Sequence, residues 1–355
     1  MARTQRADGD DHRVTIMEIA RMCGVSAQTV SRVINQRPDV SPETRAAVES
    51  AIRLVGFQPS AVARSLVQRR SYTLGVIAAG LRYFGVAQTL NGITEESEAS
   101  GYALLLKEIA SRSQVDLMAE IALLMAHRVE GIIFAAPDLG ADLADVRARL
   151  PRASPPIVFL KSQPSAAFST ILIDNQAGGR LATEHLLSLG RRRIGHLAGP
   201  LTWHEARDRD AGWRAALRDA GVEAGPVVAG DWTSAGGVDA FEAMLEADPD
   251  LDAVFAANDQ MALGVLSVAH RRGIVIPDDI ALVGFDGLDE GAQFTPSLTT
   301  VRQPLQELGK LAVRELLAAG TRQGPERLAV RDLTLAPELI IRDSAPRGRR
   351  PDQPE

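Results

Sequence analysis

Apolar and polar positions divide the chain into a short helical head and a longer body of alternating strands and helices. In the head, apolar residues recur at the spacing of amphipathic helices. Helices are predicted from the cap Thr15 to about Met22, from the cap Ser26 to about Ile34, and from Ser41 to about Val55. Residues 14–58 are therefore predicted to form a bundle of three helices.

From Tyr72 onward, short apolar runs alternate with stretches of helical pattern. The predicted strands are Leu74–Ala78, Ala103–Leu106, Gly131–Ala135, Ile157–Leu160, Ile171–Asp174, Ile194–Ala198, Val227–Ala229, Ala253–Ala256, Ala281–Phe285 and Leu298–Val301. The helices between them include Val86–Ser100, Gln176–Leu189, Glu205–Ala220 and Gln260–Arg271. This alternation predicts an α/β body with doubly wound parallel sheets, whose ligands gather at the carboxyl ends of the strands. Polar residues stand at three such ends, namely Asp174-Asn175, Asn258-Asp259 and Asp286.

Length and composition narrow the class of protein. The 355 residues suit two or three domains rather than one. No apolar run approaches the roughly 18 residues of a membrane span, so no membrane partner is expected. Residues 1–13 lack the apolar stretch of a secretory signal, which makes the cytoplasm the expected compartment. Segments 1–13 and 345–355 are polar and are expected to be disordered.

Residue types that carry catalysis or bind metals form no constellation in this sequence. The only cysteine is Cys23, and the six histidines show no metal-ligand spacing. The only Gly-Lys pair is Gly309-Lys310, and Pro304 stands where a phosphate-binding loop needs glycine. An enzyme is therefore not expected, and neither a metal nor a cofactor is predicted.

Charge is distributed unevenly along the chain. The net charge is −6, which by itself argues against a nucleic-acid binder. Residues 1–70, however, contain eleven arginines against seven acidic residues, so the acidic excess lies in the remainder. A basic head on an acidic body is expected when only the head meets phosphate groups.

The first two predicted helices have the features of a helix-turn-helix. Thr15 and Glu18 can form a capping box, and Gly24 suits the left-handed turn between the helices. Ala20 is small and Val30 is branched, as the packing of two helices at such a turn requires. A generic three-helix bundle is the alternative, but the capping, turn and packing signals all agree on the motif.

The second helix carries side chains that are suited to reading DNA. Ala27, Gln28 and Arg32 lie on its outer face, near the end that a recognition helix presents to bases. Glutamine pairs with adenine, and arginine with guanine, through bidentate hydrogen bonds. Short polar residues that can hold phosphates surround them, namely Thr15, Ser26, Thr29, Ser31, Asn35, Ser41 and Thr44. The predicted partner of the head is double-stranded DNA.

The segment Val14–Asn35, VTIMEIARMCGVSAQTVSRVIN, resembles the head of the lactose-repressor (LacI) family of bacterial regulators. The resemblance implies that residues 59–71 are a hinge whose short helix pairs with that of a second subunit. Ala63 and Leu66 would then enter the minor groove, where the leucine wedges between bases and bends the DNA. A plain linker is the alternative, and Ser60 departs from the asparagine that is common in the family.

The body resembles the effector domain of the same family, whose two lobes are similar to periplasmic sugar-binding proteins. The matching segments include Arg209–Trp213, Ala256–Gly264, Leu282–Asp286 and Leu298–Pro304. In the family the chain crosses between the lobes three times. For the body at 72–344 this implies a first lobe of about residues 72–171 with 303–332, and a second of about 172–302 with 333–344.

Carried over by position, the resemblance implies an effector pocket between the lobes. Arg209, Asn258 and Asp286 would be its polar anchors, and Trp232 an aromatic platform. These groups suit a polyol, because they bind vicinal hydroxyls and pack against the C–H side of a sugar. A surface ion pair is the alternative for Arg209, and core packing is the alternative for Trp232.

The first-lobe side of this pocket departs from the galactoside-binding branch of the family. Lys161 stands where that branch has an acidic residue, and Tyr83, Phe84 and Gln88 form a different loop. All four are counted as effector-binding residues, and a β-galactoside is only one candidate ligand.

The resemblance implies a transcription repressor that binds a pseudo-palindromic operator and responds to a small molecule, a mono- or oligosaccharide by its pocket chemistry. A nucleobase or a phosphoprotein co-regulator is the alternative controller. A carbohydrate transport protein is disfavoured by the intact head. The C-terminal tail shows no leucine heptads, which favours a homodimer over a tetramer.

Overall fold

The computed structural model describes residues 14–57, 70–109, 116–136, 142–161, 164–321 and 330–347. The chain divides into two compact units, residues 1–71 and residues 72–355. The predicted N-terminal arm and the predicted minor-groove residues Ala63 and Leu66 lie outside the described residues.

The described residues of the first unit form three helices, namely α1 (Ile16–Cys23), α2 (Ala27–Ile34) and α3 (Pro42–Val55). Each helix begins at a predicted cap, Thr15, Ser26 or Ser41, whose side chain accepts a backbone N–H of the first turn. The capping box is present, since the Thr15 N–H also donates to Glu18 Oε2 at 2.7 Å. Such caps stabilise a helix by about 1 kcal/mol each, which matters for helices this short.

The three helices share one small core. Ile19, Val30 and Val48, one from each helix, are fully buried. Gly24 ends α1 with φ of 63°, in the left-handed region that side chains with a Cβ rarely adopt. Ala20 is also buried, so the packing predicted for the turn is confirmed.

The second unit has two lobes, each built on one six-stranded sheet. The first-lobe strands are β1 (Thr73–Ala78), β2 (Ala103–Glu108), β3 (Gly131–Ala135), β4 (Ile157–Leu160), β5 (Ser169–Ile173) and β11 (Asp332–Leu335). Their order is β11-β5-β4-β3-β1-β2, and all of the pairings are parallel. The helices of this lobe are α4 (Phe84–Ala99), α5 (Leu117–Ala126), α6 (Leu143–Arg149) and α11 (Leu305–Thr321).

The second lobe repeats this plan. Its strands are β6 (Ile194–Ala198), β7 (Val227–Ala229), β8 (Ala253–Ala256), β9 (Ala281–Asp286), β10 (Thr299–Arg302) and β12 (Glu338–Ile340). Their order is β12-β10-β9-β8-β6-β7, and only β12 is antiparallel to its neighbour. The helices are α7 (Asn175–Ser188), α8 (His204–Asp219), α9 (Ser234–Ala247) and α10 (Asp259–Arg272), with a 3₁₀ turn at Asp289–Gln293. The predicted class of fold is confirmed.

The chain crosses between the lobes three times, but two crossings lie later than predicted. β5 and β11 pair with each other in the first-lobe sheet, with Thr170 opposite Asp332. The first crossing therefore follows Ile173, and the third follows Leu335. The predicted boundaries after residues 171 and 332 would divide a hydrogen-bonded strand between two sheets.

The end of the body also extends further than predicted. Ala345, which the sequence assigned to a disordered tail, is fully buried in the core of the second lobe. Its carbonyl oxygen lies 2.7 Å from His185 Nε2 and accepts a hydrogen bond from the Thr299 hydroxyl at 3.2 Å. The ordered body therefore continues to Arg347, and residues 348–355 lie outside the described residues.

Close contact between α7 and α8 holds the second lobe's side of the cleft. A Cβ on Gly179 would lie 2.3 Å from the Arg209 carbonyl oxygen, and one on Gly212 would lie 2.1 Å from the Gln176 carbonyl oxygen. Only glycine permits this approach. Among the helices of the described residues, none is both long and apolar enough to cross a membrane.

Candidate DNA interface and effector cleft

Helix α2 presents two of its three predicted base-reading side chains to solvent. Gln28 and Arg32 are exposed, whereas Ala27 is half-buried against the core of the head. Gln28 and Arg32 are four residues apart, so they project from one face of the helix. Ala27 can offer only its methyl group, which suits apolar contact with a thymine methyl.

An acidic neighbour orients Arg32. Arg32 Nε lies 3.6 Å from Asp39 Oδ2, and the two side chains are 46% and 56% exposed. Exposed ion pairs of this kind contribute about 0–1 kcal/mol. DNA can therefore replace the contact at little cost, while in its absence the guanidinium is held on the outer face of α2.

The short polar side chains of the head cap the helices or form other local hydrogen bonds. Ser26 Oγ accepts the Thr29 N–H at 3.0 Å, and Ser41 caps α3 in the same way. Asn35 Nδ2 donates to the Ser31 carbonyl at 2.8 Å, at the other end of α2. The contacts of these residues, and of Thr15 and Thr44, with phosphate stay predictions.

A cavity of about 320 Å³ lies between the two lobes of the second unit. The predicted effector-binding residues that line it are Tyr83, Phe84, Lys161, Arg209, Trp232, Asn258 and Asp286. Gln88 does not line it. Gln88 lies one turn beyond Phe84 on α4, where its Oε1 accepts a hydrogen bond from Gln306 of α11 at 2.9 Å.

Arg209 is the central polar group of this cavity. Its Nε donates to Asn175 Oδ1 at 2.8 Å, and its Nη1 donates to the Ala257 carbonyl at 2.5 Å. Nη1 also lies 3.5 Å from Asp286 Oδ1, and the guanidinium lies 3.9 Å from the centre of the Phe285 ring. Arg209 is only 5% exposed, so the alternative of a surface ion pair is wrong. Burial lowers its pKa, and the charge of Asp286 opposes that shift.

Asp286 ends β9 in an unusual backbone conformation. Its φ is 113°, which a residue with a Cβ adopts only where the surroundings enforce it. Its Oδ1 accepts a hydrogen bond from Gln303 Nε2 at 2.6 Å. Burial raises the pKa of Asp286, and the positive charge of Arg209 acts against this rise. Strain, burial and fixed partners at one residue are typical of a ligand site.

A second buried acid holds the turn that follows Asp286. Asp259 Oδ2 accepts the backbone N–H groups of Gly287 at 2.9 Å and Leu288 at 2.7 Å. Its Oδ1 accepts the Thr300 hydroxyl at 2.7 Å. Burial, followed by the nearby charge of Asp286, raises the pKa of Asp259 to about 7. Asp259 thus fixes the position of Asp286 without lining the cavity itself.

Asn258 serves both the fold and the cavity. Its Oδ1 accepts the Met261 N–H at 2.9 Å as the cap of α10, and its Nδ2 donates to the Trp232 carbonyl at 3.0 Å. This second bond ties the loop of Trp232, whose φ is 72°, to the end of β8. Asn258 therefore connects two walls of the cavity.

Four aromatic residues line the cavity, namely Tyr83, Phe84, Trp203 and Trp232. The Trp232 ring packs on Gly199, since a Cβ there would lie 2.1 Å from Trp232 Cη2. Trp203 meets Trp232 at 71° and Tyr83 of the other lobe at 87°, with ring centres 6.0 and 5.5 Å apart. Trp232 lines the cavity and also belongs to the core of the second lobe, so core packing is observed, while its role as a platform for a ligand stays a prediction.

Lys161 and Glu205 face the cavity from opposite lobes. Lys161 follows β4 with φ of 57°, and its Nζ donates to the Gly85 carbonyl at 3.1 Å. Burial lowers the pKa of Lys161, and the nearby charges of Glu205 and Asp286 oppose that shift. Glu205 lies in the first turn of α8 and is 7% exposed.

The sequence did not indicate several residues of the cavity, namely Trp203, Glu205 and Gln303. Asn175, which also lines the cavity, was indicated only as a polar residue at the end of a strand. Glu205 was placed only as the start of a helix, and no local pattern distinguishes it from the neighbouring acidic residues. Its role depends on which strand and helix face it across the cleft.

Comparison with known proteins agrees with this architecture. Residues 15–60 match the family model of bacterial regulatory proteins, lacI family, and residues 183–345 match that of the periplasmic binding protein-like domain. The ribose operon repressor of Escherichia coli (strain K12) is 34% identical over 334 residues, which cover 93% of this chain and 99% of that protein. The HTH-type transcriptional repressor PurR of Photobacterium profundum is 32% identical, with coverage of 93% and 98%.

Solved structures give the same result. The crystal structure of the lac repressor dimer bound to operator and the anti-inducer ONPF has a TM-score of 0.82 and 31% identity, covering 94% of this chain and 99% of that chain. The complex of the transcriptional regulator CelR with cellobiose has a TM-score of 0.65 and 31% identity, covering 94% and 100%. The named relatives are repressors and regulators rather than enzymes. This chain therefore belongs to the LacI family of bacterial regulatory proteins and is a DNA-binding transcriptional repressor.

Proposed function

We propose that this protein binds a pseudo-palindromic operator as a homodimer, and that a mono- or oligosaccharide bound between the lobes controls this binding. The observation that carries the effector proposal is the arrangement of Arg209, Asn258 and Asp286 beside the Trp232 ring in one cavity. The operator proposal rests on the exposed Gln28 and Arg32 of α2.

The chemistry of the cavity supports a polyol. A sugar hydroxyl donates one hydrogen bond and accepts others, so it can bridge a carboxylate and a guanidinium that are held at fixed positions. Asp286 and Arg209 are such a pair, with 3.5 Å between their nearest atoms. The Trp232 ring supplies an apolar wall against which the C–H groups of a sugar can pack. Pockets of this mixed character are typical of small-molecule sites.

A nucleobase is the second candidate, favoured by the aromatic residues at the cleft and by the similarity to PurR. Proteins commonly hold a planar base by stacking it between aromatic or apolar side chains. The neighbouring rings here meet at 87° for Tyr83 with Trp203 and at 71° for Trp203 with Trp232. Neither pair offers two parallel faces, and this favours a sugar.

Exposed leucines support association through the body. Leu106 lies on the edge strand β2 and is 46% exposed, and Leu123 of α5 is 44% exposed. An edge strand with apolar side chains favours pairing with another chain. A dimer would place two copies of α2 on two half-sites related by twofold symmetry.

Control by a sugar requires that the two lobes have more than one relative position. The ligand shifts the equilibrium only by its difference in affinity for those positions. Because the cavity is lined from both lobes, a bound sugar has different contacts in each. The change would then reach the head through the segment that follows α3.

The proposal is tested by selecting DNA from a random-sequence pool with the purified protein. An inverted repeat is expected, and an asymmetric site would contradict the dimer. Replacing Arg32 by alanine should weaken binding by roughly 1–3 kcal/mol at one base pair of each half-site. Arg21 of α1, which is also exposed, provides a control substitution outside the recognition helix.

The selected operator is then titrated in the presence of sugars and of purines. A sugar should change the operator affinity of the wild-type protein, and its effect should be lost in Arg209→Met. A response to purines but not to sugars would instead support the nucleobase.

A further inference from the structure

The carboxylate of Glu205 is buried in the wall of the cavity without a complete set of partners. Glu205 is 7% exposed, and its Oε2 has no hydrogen-bond partner among the described residues. Buried polar atoms in native proteins are almost always hydrogen-bonded, so such an oxygen calls for an explanation. The N-terminal turn of α8 favours a negative charge there but does not supply a donor to this atom.

The ammonium group of Lys161 faces Glu205 from the first lobe. Their charges interact across the cleft, but no ion pair within 4.0 Å joins these two described residues. An ammonium group has three donors, and the Gly85 carbonyl accepts one of them at 3.1 Å. A residue with donors and a residue with acceptors thus line the same cavity from opposite lobes.

Apart from Arg82, which is exposed, the charged residues that line the cavity are balanced. Lys161 and Arg209 are positive, and Glu205 and Asp286 are negative. A charged ligand would lose its hydration in this space without gaining an excess of opposite charge. A neutral ligand with hydroxyl groups meets both signs of charge without this penalty.

We propose that Lys161 and Glu205 clamp one hydroxyl group of an uncharged sugar between the two lobes. Lys161 donates a hydrogen bond to the hydroxyl oxygen, and the hydroxyl donates its hydrogen to Glu205. This inference rests on the proposed function, because it assumes that the cleft binds a sugar. It adds that the effector is neutral and that Glu205 determines this specificity.

The clamp also couples recognition to lobe position. Lys161 follows β4 of the first lobe, whereas Glu205 lies in the first turn of α8 of the second, so only a ligand that reaches both groups holds the lobes together. A deoxy sugar without the bridging hydroxyl would leave both groups unsatisfied. Sites that bind a hydroxyl reject such analogues strongly.

Isothermal titration calorimetry of the full-length protein with sugars and with anions tests the proposal. The probes are D-ribose, D-galactose, lactose and cellobiose as neutral sugars, and galacturonate and ribose 5-phosphate as anions. The wild-type protein should bind at least one neutral sugar and prefer it to both anions. Glu205→Gln, which keeps the side-chain size, should bind that sugar at least tenfold more weakly and should reduce the preference over anions. Lys161→Met should bind the same sugar more weakly and should still prefer it to the anions.

A control substitution and the melting temperature separate recognition from structure. Glu223→Gln changes an exposed acid on the same lobe and should leave sugar affinity within twofold of wild type. Without ligand, Glu205→Gln should melt at the wild-type temperature or above it, since it removes a buried charge. A lower melting temperature would show a structural role and would overturn the clamp.

The outcomes also separate this inference from the proposed function. If a neutral sugar binds Glu205→Gln and wild type equally well, the clamp is wrong while the sugar-responsive repressor stands. If the wild-type protein prefers an anion, the inference of a neutral effector is wrong. If none of the sugars binds the wild-type protein, both proposals fail.

Discussion

Replacing Arg209 by methionine should destabilise the second unit strongly. The substitution removes the counter-charge 3.5 Å from Asp286, and it leaves Asn175 Oδ1 and the Ala257 carbonyl without their donor. Breaking a buried ion pair by removing one partner costs about 3–5 kcal/mol. Methionine keeps apolar contact with the Phe285 ring, so little further loss from packing is expected. For a unit of this size the change corresponds to a decrease of roughly 10 °C in melting temperature.

Urea unfolding followed by tryptophan emission measures this effect, because all three tryptophans of the chain lie in the second lobe. Arg214→Met is the matched control on the same helix. Its Nε lies 2.8 Å from Asp210 Oδ2, but its side chain is 50% exposed, so only about 0–1 kcal/mol is expected. Asp286→Asn combined with Arg209→Met completes a double-mutant cycle, and the double variant should be less destabilised than the two single losses added together.

The pH dependence provides a further check. Arg209 opposes the rise in the pKa of Asp286, so removing Arg209 raises that pKa further above its value in the unfolded chain. The folded variant then binds a proton at Asp286 more readily than its unfolded chain does. The stability that Arg209→Met loses relative to the wild-type protein should therefore become smaller as the pH falls. If Arg209→Met lost no more stability than Arg214→Met, or if its deficit were independent of pH, the reasoning would be refuted.

Three other substitutions test separate parts of the structure. Burial lowers the pKa of His196 from 6.5 to about 4, so between these pH values the unfolded chain binds a proton at this residue that the folded chain does not. The free energy of unfolding should therefore decrease by about 3 kcal/mol as the pH falls through this range. In urea unfolding at several pH values, His196→Phe should flatten this slope, and an unchanged slope would contradict the assignment. Asp39→Ala should increase binding to random DNA and reduce the preference for the selected operator, because Arg32 loses its orienting partner. Fluorescence anisotropy with both DNAs measures this preference, and an unchanged preference would exclude this role for Asp39. Gly212→Ala should cost about 1–3 kcal/mol in urea unfolding, because its Cβ would lie 2.1 Å from the Gln176 carbonyl oxygen. Gly320→Ala, where a Cβ meets nothing within 4 Å, is its control, and equal stability of the two variants would contradict the prediction.

The head could be predicted almost entirely from its sequence because its signals are local. Thr15 and Glu18 are three residues apart, and Gly24 needs only its own backbone conformation to end α1. Short-range hydrogen bonds of this kind depend little on the rest of the fold. Where the head meets DNA, the sequence also indicates Gln28 and Arg32, whereas the ion pair of Arg32 with Asp39 depends on the path of the chain after α2.

The fold class of the body could be predicted from the sequence, but two of its edge strands could not. Ten apolar runs indicated the strands of two sheets, because buried parallel strands are apolar on both faces. β11 and β12 were not predicted, since each begins with an acidic residue and neither contains a continuous run of three apolar residues, whereas β7, which is equally short, is wholly apolar. The burial of Ala345 likewise depends on His185 and Thr299, which lie far away in sequence.

For the candidate site, the sequence by itself determined which polar residues end the strands, and the family resemblance indicated Arg209 and Trp232. The tertiary structure alone decided which of these side chains share a cavity. Gln88 lies one helical turn too far along α4, whereas Glu205, an ordinary acidic residue in its local sequence, is buried opposite Lys161. A buried charge is recognised only by what surrounds it in space, and those surroundings come from both lobes.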